Sequence, residues 1–342
     1  MRFSKFCATL LSTALLTGQS VAQSSFQNAA PSDNAPATVD ENIGTPAMWR
    51  VTDADSEFFL LGTFHILPPE LKWRTPAFEE AFKKAETVYF EVDSNNANEA
   101  AKATHAIMTQ GINPDGGRIT NLLTDENATK FRQIVSELNL PLSGIDTLRP
   151  WRASLSLSYK FIKDLGFNPE SGVESALTGE ARGNGKKMQF FETISQQLSF
   201  FANLSPETEM NMLVETIENW EDQKEGMYSL LEAWSTGNVD FLKDEMITSM
   251  RDNHPEAYKA LIVDRNKAWA EEIAQVMNAE SGVAMVAVGA GHLVGGENSV
   301  PALLAAMGFE VSRYGLETAA NDNTLQEAGD DIGDLLQAVG EE

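Results

Sequence analysis

Cysteine is almost missing from this chain of 342 residues, and the single one is Cys7. It falls within residues 1–22, which have the form of a secretory signal peptide. Arg2 and Lys5 precede an apolar stretch from Ala8 to Thr17, and Ser20-Val21-Ala22 supplies a small-x-small cleavage site. Cleavage there leaves a mature chain without a thiol, which excludes disulfides, cysteine nucleophiles and thiolate metal ligands. The expected localisation is periplasmic or secreted. No later segment approaches the ~20 consecutive apolar residues of a membrane-spanning helix. Basic residues are scarce too: 25 Lys and Arg face 50 Asp and Glu, a formal charge of −25. Losing Arg2 and Lys5 takes it to −27. Such a field repels nucleic acid and anionic lipid, and attracts cations and basic peptides. There is no Gly-x-Ser-x-Gly elbow, His-Glu-x-x-His helix, phosphate loop or dinucleotide fingerprint.

What is present divides the chain into four parts. After the signal, residues 23–46 are rich in Ser, Asn, Pro and Ala and read as a disordered linker. Residues 47–315 carry the structured pattern, and roughly 270 residues can bury a substantial core. The tail 316–342 has eight acidic residues, no basic one, and is expected to stay solvated. Within the structured part, Trp49-Arg50-Val51 and Glu57 to Leu61 flank a turn and predict a hairpin. Thr75-Pro76 starts a helix whose apolar face is Phe78, Ala81, Phe82 and Ala85, and Thr87 to Val92 follows as a strand. A strand–helix–strand unit predicts parallel strands in an α/β layer. The middle is mostly helical, with Lys187 to Glu192 a short strand and a long helix from about Pro255 to Met277. A strand (Val283 to Val288), a helix and a last strand (Glu310 to Tyr314) end the pattern.

Two of the four histidines share one setting. Gly62-Thr63-Phe64-His65 and Gly289-Ala290-Gly291-His292 each close an apolar strand, 227 residues apart. A histidine at a strand end is placed to ligate a metal or move a proton. Open α/β sheets bind ligands at the carboxyl edge, where His65, Glu91, Asp93, Glu192 and His292 all fall. Two imidazoles with carboxylates suit Zn, Mn, Co or Fe better than a dedicated Ca or Mg cage. Glu91 and Asp93 share a strand face, and Gly62 and Gly289 would let the backbone approach a ligand. Arg265 lies on the apolar face of the long helix, with Asn266 beside it. A buried guanidinium either pairs with a core acid or orients a substrate carbonyl or oxyanion. His105 and His254 are read as surface residues.

Taken together, these stretches resemble the TraB/GumN family, which includes the animal Tiki metalloproteases. The carriers are Leu60 to Pro68, Glu91-Val92-Asp93, Gly172-Val173-Glu174, Phe191-Glu192-Thr193, Asp264-Arg265-Asn266 with Trp269, and Gly289 to Gly295. The resemblance spans roughly Trp49 to Tyr314. It implies an α/β fold akin to the erythromycin esterase and ChaN-like group. That means a mixed sheet of two pseudo-repeated halves, helices on its faces and a helical insertion between them. It also implies metal-dependent peptide hydrolysis, with His65, Glu91 and His292 as ligands. Glu174 departs from the family's more frequent Asp.

The expected function is therefore an exported metal-dependent hydrolase, a peptidase, acting on a peptide or protein substrate. Its divalent ion would sit on His65, Glu91 and His292. Glu192 or Asp93 would serve as general base, Arg265 as oxyanion stabiliser, and Asn266, Gly62 and Gly289 would face substrate. The alternative is a non-catalytic envelope protein that binds a metal, heme iron or a partner.

Overall fold

The computed structural model describes residues 44–315. The signal segment, most of the linker and the acidic tail lie outside the described residues. The end of the expected linker already belongs to the fold: Gly44 N donates to Lys72 O at 2.8 Å, and Thr45 N to Ser235 O.

Strand β1 (Met48–Thr52) and strand β2 (Ser56–Thr63) form the expected hairpin, with Met48 opposite Leu61. Asp53 closes its turn by accepting the Ser56 N–H at 2.8 Å. Helix α1 (Pro76–Lys84) starts as predicted, the Thr75 hydroxyl capping the Phe78 N–H. Strand β3 (Thr87–Val92) leads into α2 (Ala97–Gln110). Helices α3 (Asp125–Glu137), α4 (Leu142–Ile145), α5 (Pro150–Asp164) and α6 (Val173–Gly183) follow, then strand β4 (Lys187–Glu192). Next come α7 (Ile194–Ala202), α8 (Pro206–Glu218), α9 (Gln223–Ser235) and α10 (Val239–Leu242). A π-helical turn (Lys243–Thr248) joins α10 to α11 (Ser249–Asn253).

The predicted long helix is broken into α12 (Pro255–Tyr258), a second π turn (Lys259–Val263) and α13 (Asp264–Ala279). Strand β5 (Gly282–Gly289), α14 (Ala290–Leu293), α15 (Val300–Ala306) and β6 (Glu310–Tyr314) complete the described chain. Helices between β3 and β4 and again after β4 make the middle of the chain mostly helical, as expected.

The six strands form one mixed α/β sheet in the order β4-β3-β5-β2-β1-β6. β5 comes from the far end of the sequence and lies between β2 and β3, parallel to both. The strand–helix–strand unit is thus parallel, as expected, but its two strands are not neighbours. Burial on both faces explains the near-continuous apolar runs of β2 and β5. Alternation sends Phe59, Leu61, Val88, Phe90 and Met285 to one side, packed against Phe78 and Phe82 of α1. Phe58, Leu60, Tyr89, Val286 and Val288 go to the other, covered by Trp269 and Ile273 of α13 and Leu304 of α15. Burial of an aliphatic or aromatic side chain on this scale contributes about 1.5–3 kcal/mol each. A separate core joins Phe131, Leu157 and Leu213 of α3, α5 and α8. No helix among the described residues is long and apolar enough to cross a membrane.

Candidate active site

Because β2 and β5 are adjacent and parallel, Thr63 pairs with Gly289 and the two Gly-x-x-His segments leave the sheet side by side. Both histidines are buried, His65 at 4% and His292 at 0% exposure. Each presents Nδ1 to an oxygen. His65 Nδ1 stands 2.7 Å from Glu174 Oε1, and the Thr63 hydroxyl donates to the same oxygen. His292 Nδ1 lies 2.5 Å from Asn266 Oδ1. Asn266 Nδ2 donates to the carbonyls of His292 (3.2 Å) and Asn298 (2.7 Å), so its Oδ1 is the acceptor. For His292 the Asn266 acceptor places the proton on Nδ1 and leaves the lone pair on Nε2, whereas His65 meets Glu174 as an ion-pair contact.

Arg265 enters from the first turn of α13 and links the strand ends. Its Nη2 donates to Glu91 Oε2 at 2.7 Å and Glu192 Oε2 at 3.0 Å, and its Nε to Glu192 Oε1 at 2.9 Å. Its Nη1 donates to Leu261 O, within the π turn, at 3.2 Å and to His292 Nε2 at 3.1 Å. All five N–H donors of the guanidinium are satisfied. Its Cζ lies 4.7 Å and 5.5 Å from the ring centres of Trp269 and Phe200. Glu91 is held further by Gly289 N on Oε1 and Gln197 Nε2 on Oε2, both at 2.8 Å.

The charges follow from these contacts. Burial, then Arg265, then the His65 imidazole push His292 well below its ordinary pKa, so it is neutral. Burial opposes the charge of Arg265, but the Glu192 and Glu91 carboxylates outweigh it and raise its pKa. For Glu192 burial wins over the attraction of Arg265 and raises its pKa.

The structure gathers His65, Glu91, Glu192, Arg265 and His292 at the carboxyl edge of the parallel strands. Other expected residues stand elsewhere or do something else. Asp93 turns out of the cluster to accept the Asn95 N–H at 3.1 Å, starting the turn into α2. Asn266 is buried and spent on His292, so it faces no substrate. Gly62 allows close packing, since a Cβ there would lie 3.1 Å from Ala290 Cα, and its carbonyl accepts the Trp234 indole. Gly289 serves Glu91 through its N–H. Both oxygens of Glu192 are engaged by Arg265, which opposes its use as a general base. His254 is buried against Glu215 rather than exposed, a pairing across 39 residues that local pattern does not show. Glu174 belongs to the site, and its only sequence signal is the Gly172-Val173-Glu174 landmark.

The donor set fits a divalent ion in kind. His292 has Nδ1 fixed by Asn266 Oδ1 and His65 sets Nδ1 against the Glu174 carboxylate, the usual kind of support behind a metal-ligating histidine. Glu91 Oε1 is 3.9 Å from His292 Nε2. As the side chains stand, no three His, Asp or Glu among the described residues are grouped to hold a metal. Arg265 bridges Glu91 and His292 instead.

Sheet and cluster define an α/β protein with a buried histidine, arginine and carboxylate site at the carboxyl ends of parallel strands. The chain belongs to the TraB/PrgY/gumN family, whose sequence model matches residues 47–313. No curated protein and no solved structure matches it.

Proposed function

We propose that the chain is an exported hydrolase that cleaves peptide bonds, with its chemistry centred on His65, His292 and Arg265. One observation carries this reading: two buried imidazoles, each with Nδ1 against an oxygen, stand at adjacent strand ends beside a buried guanidinium. His65, backed by Glu174 at Nδ1, is suited to present Nε2 as a directed donor. His292, kept neutral by its surroundings, is suited to hold a second lone pair nearby. Arg265, whose N–H donors are already engaged, is suited to stabilise a developing oxyanion through its positive charge. Glu192 keeps that guanidinium charged and in place.

A divalent ion (Mn, Co, Zn or Fe) belongs to the proposal, with His65, His292 and Glu91 as its donors. When bound, it supplies Lewis acidity toward water and the scissile carbonyl. The strongly acidic chain favours cations and basic peptides over anionic substrates.

The test pairs metal analysis of the purified protein with cleavage of a peptide library. Metal and cleavage are expected in the wild type, with both lost in His65→Ala and in His292→Ala. A protein that takes up no divalent ion and cleaves nothing would sink the proposal.

A further inference from the structure

We propose that Arg265 and a divalent cation are alternative occupants of the space between Glu91 and His292, so that Arg265 keeps the site closed until a metal displaces it. This rests on the reading that His65, His292 and Glu91 are the metal donors.

The contacts of the guanidinium fall into two sets. Two of them, Nη2 to Glu91 and Nη1 to His292 Nε2, use lone pairs that a metal would need. The others, to Glu192 and to Leu261 O, use atoms outside the donor set. A guanidinium that gave up Glu91 and His292 would keep its bidentate partner Glu192, the Leu261 carbonyl and its aromatic neighbours. Withdrawal therefore leaves no uncompensated buried cation, the outcome that makes most buried arginines immovable.

The exchange replaces one cation by another. Arg265 pairs with Glu91 at 2.7 Å and with Glu192 at 2.9 Å. A divalent ion on Glu91 and His292 would take over the first of these pairs while Arg265 stays on Glu192. Arg265 supplies the cation beside Glu91 in the absence of that ion. The two positions of one side chain form the kind of discrete pair through which a ligand shifts a population.

The experiment is calorimetric titration of the chelator-treated full chain with Mn²⁺ and with Zn²⁺, read as affinity and independent of any activity. Arg265→Met removes the competing cation, and its Kd is expected to fall by about tenfold or more, within the range by which groups around a metal shift affinity. Arg265→Lys, a point charge unable to span Glu192, Glu91 and His292 together, is expected to shift it the same way and serves if the Met variant does not fold. Glu192→Gln weakens the retreat position, so metal binding should weaken although Glu192 is no ligand. If the wild type binds metal through His65 and His292 but neither Arg265 variant binds tighter, this proposal falls and the metal reading stands. If no form binds metal, both fall.

Discussion

Asn266 grips His292 at two points: its Oδ1 lies 2.5 Å from the ring Nδ1, and its Nδ2 donates to the His292 carbonyl at 3.2 Å. Side chain and backbone of the histidine are therefore set by one neighbour, 26 residues earlier in the chain. Asn266→Ala leaves a buried ring N–H without its acceptor, at a cost of about 1–3 kcal/mol. ¹⁵N NMR of the imidazoles should show His292 as the Nδ1–H tautomer in the wild type and as a mixture in the variant. An unmixed Nδ1–H signal in Asn266→Ala would show that something else orients the ring.

Gly172 is a second positioning device, acting on His65. A Cβ at Gly172 would lie 1.9 Å from the His65 carbonyl oxygen. Its φ of −60° is ordinary, so the constraint is steric alone. Val173 N also donates to Phe64 O at 3.1 Å, tying the start of α6 to the same segment. Gly172→Ala must push β2's end and α6 apart and should cost about 1–3 kcal/mol or more, as overpacking does. Gly179, in the same helix, has open space at its Cβ position, so Gly179→Ala should instead stabilise by about 0.5–1 kcal/mol. Denaturant melts of the two variants give opposite signs if this account holds.

The sheet was more legible in the sequence than the site. The apolar runs before His65 and His292 mark β2 and β5, because strands buried on both faces need no polar alternation. Their adjacency was not legible, since nothing local says that β5 inserts between β2 and β3. Arg265 could be placed on a buried face from its spacing to Leu261, Ile262 and Trp269 along a helix. Its acceptors could not, because Glu91 and Glu192 lie 174 and 73 residues away in the chain. Asn266, Gly62 and Gly289 were expected to face a ligand, yet each is consumed by packing or hydrogen bonding within the protein. Small or polar residues next to a site serve either purpose, and only the tertiary contacts distinguish the two. Asp93 illustrates the same limit: one residue past the end of β3, it follows the turn rather than the pleat.

Tyr89, buried in β3 between Phe58 and Phe191, provides a pH test remote from the histidines. Burial first, then Glu280 and Glu272, raise its phenol pKa above the ordinary value near 10. The unfolded chain therefore loses this proton at lower pH than the folded one. Its contribution to stability is fully present below about pH 10 and is lost as pH rises through the folded value. Tyr89→Phe keeps both ring contacts and removes the ionisation. The stability difference between variant and wild type should widen in the variant's favour above about pH 10 and be flat below it. A flat difference across the whole alkaline range would mean that Tyr89 ionises freely in the folded state.

Glu174 shares one carboxylate oxygen between Thr63 and His65, so it ties β2's last residue to the histidine two positions on. A double-mutant cycle between Glu174→Gln and His65→Asn isolates the pair from the rest of the cluster. The coupling should be on the order of 0.5–3 kcal/mol, the range for residues in direct contact. Glu174→Asp retains the charge but shortens the reach by one methylene, so it should lose most of the coupling to His65. Side-chain charge alone would leave the aspartate variant indistinguishable from wild type; reach makes it resemble Glu174→Gln. Coupling near zero in the first cycle would detach Glu174 from His65 and leave it only the Thr63 hydroxyl. The distinction matters for the chemistry, because a histidine directs its free lone pair only while a partner holds its other nitrogen.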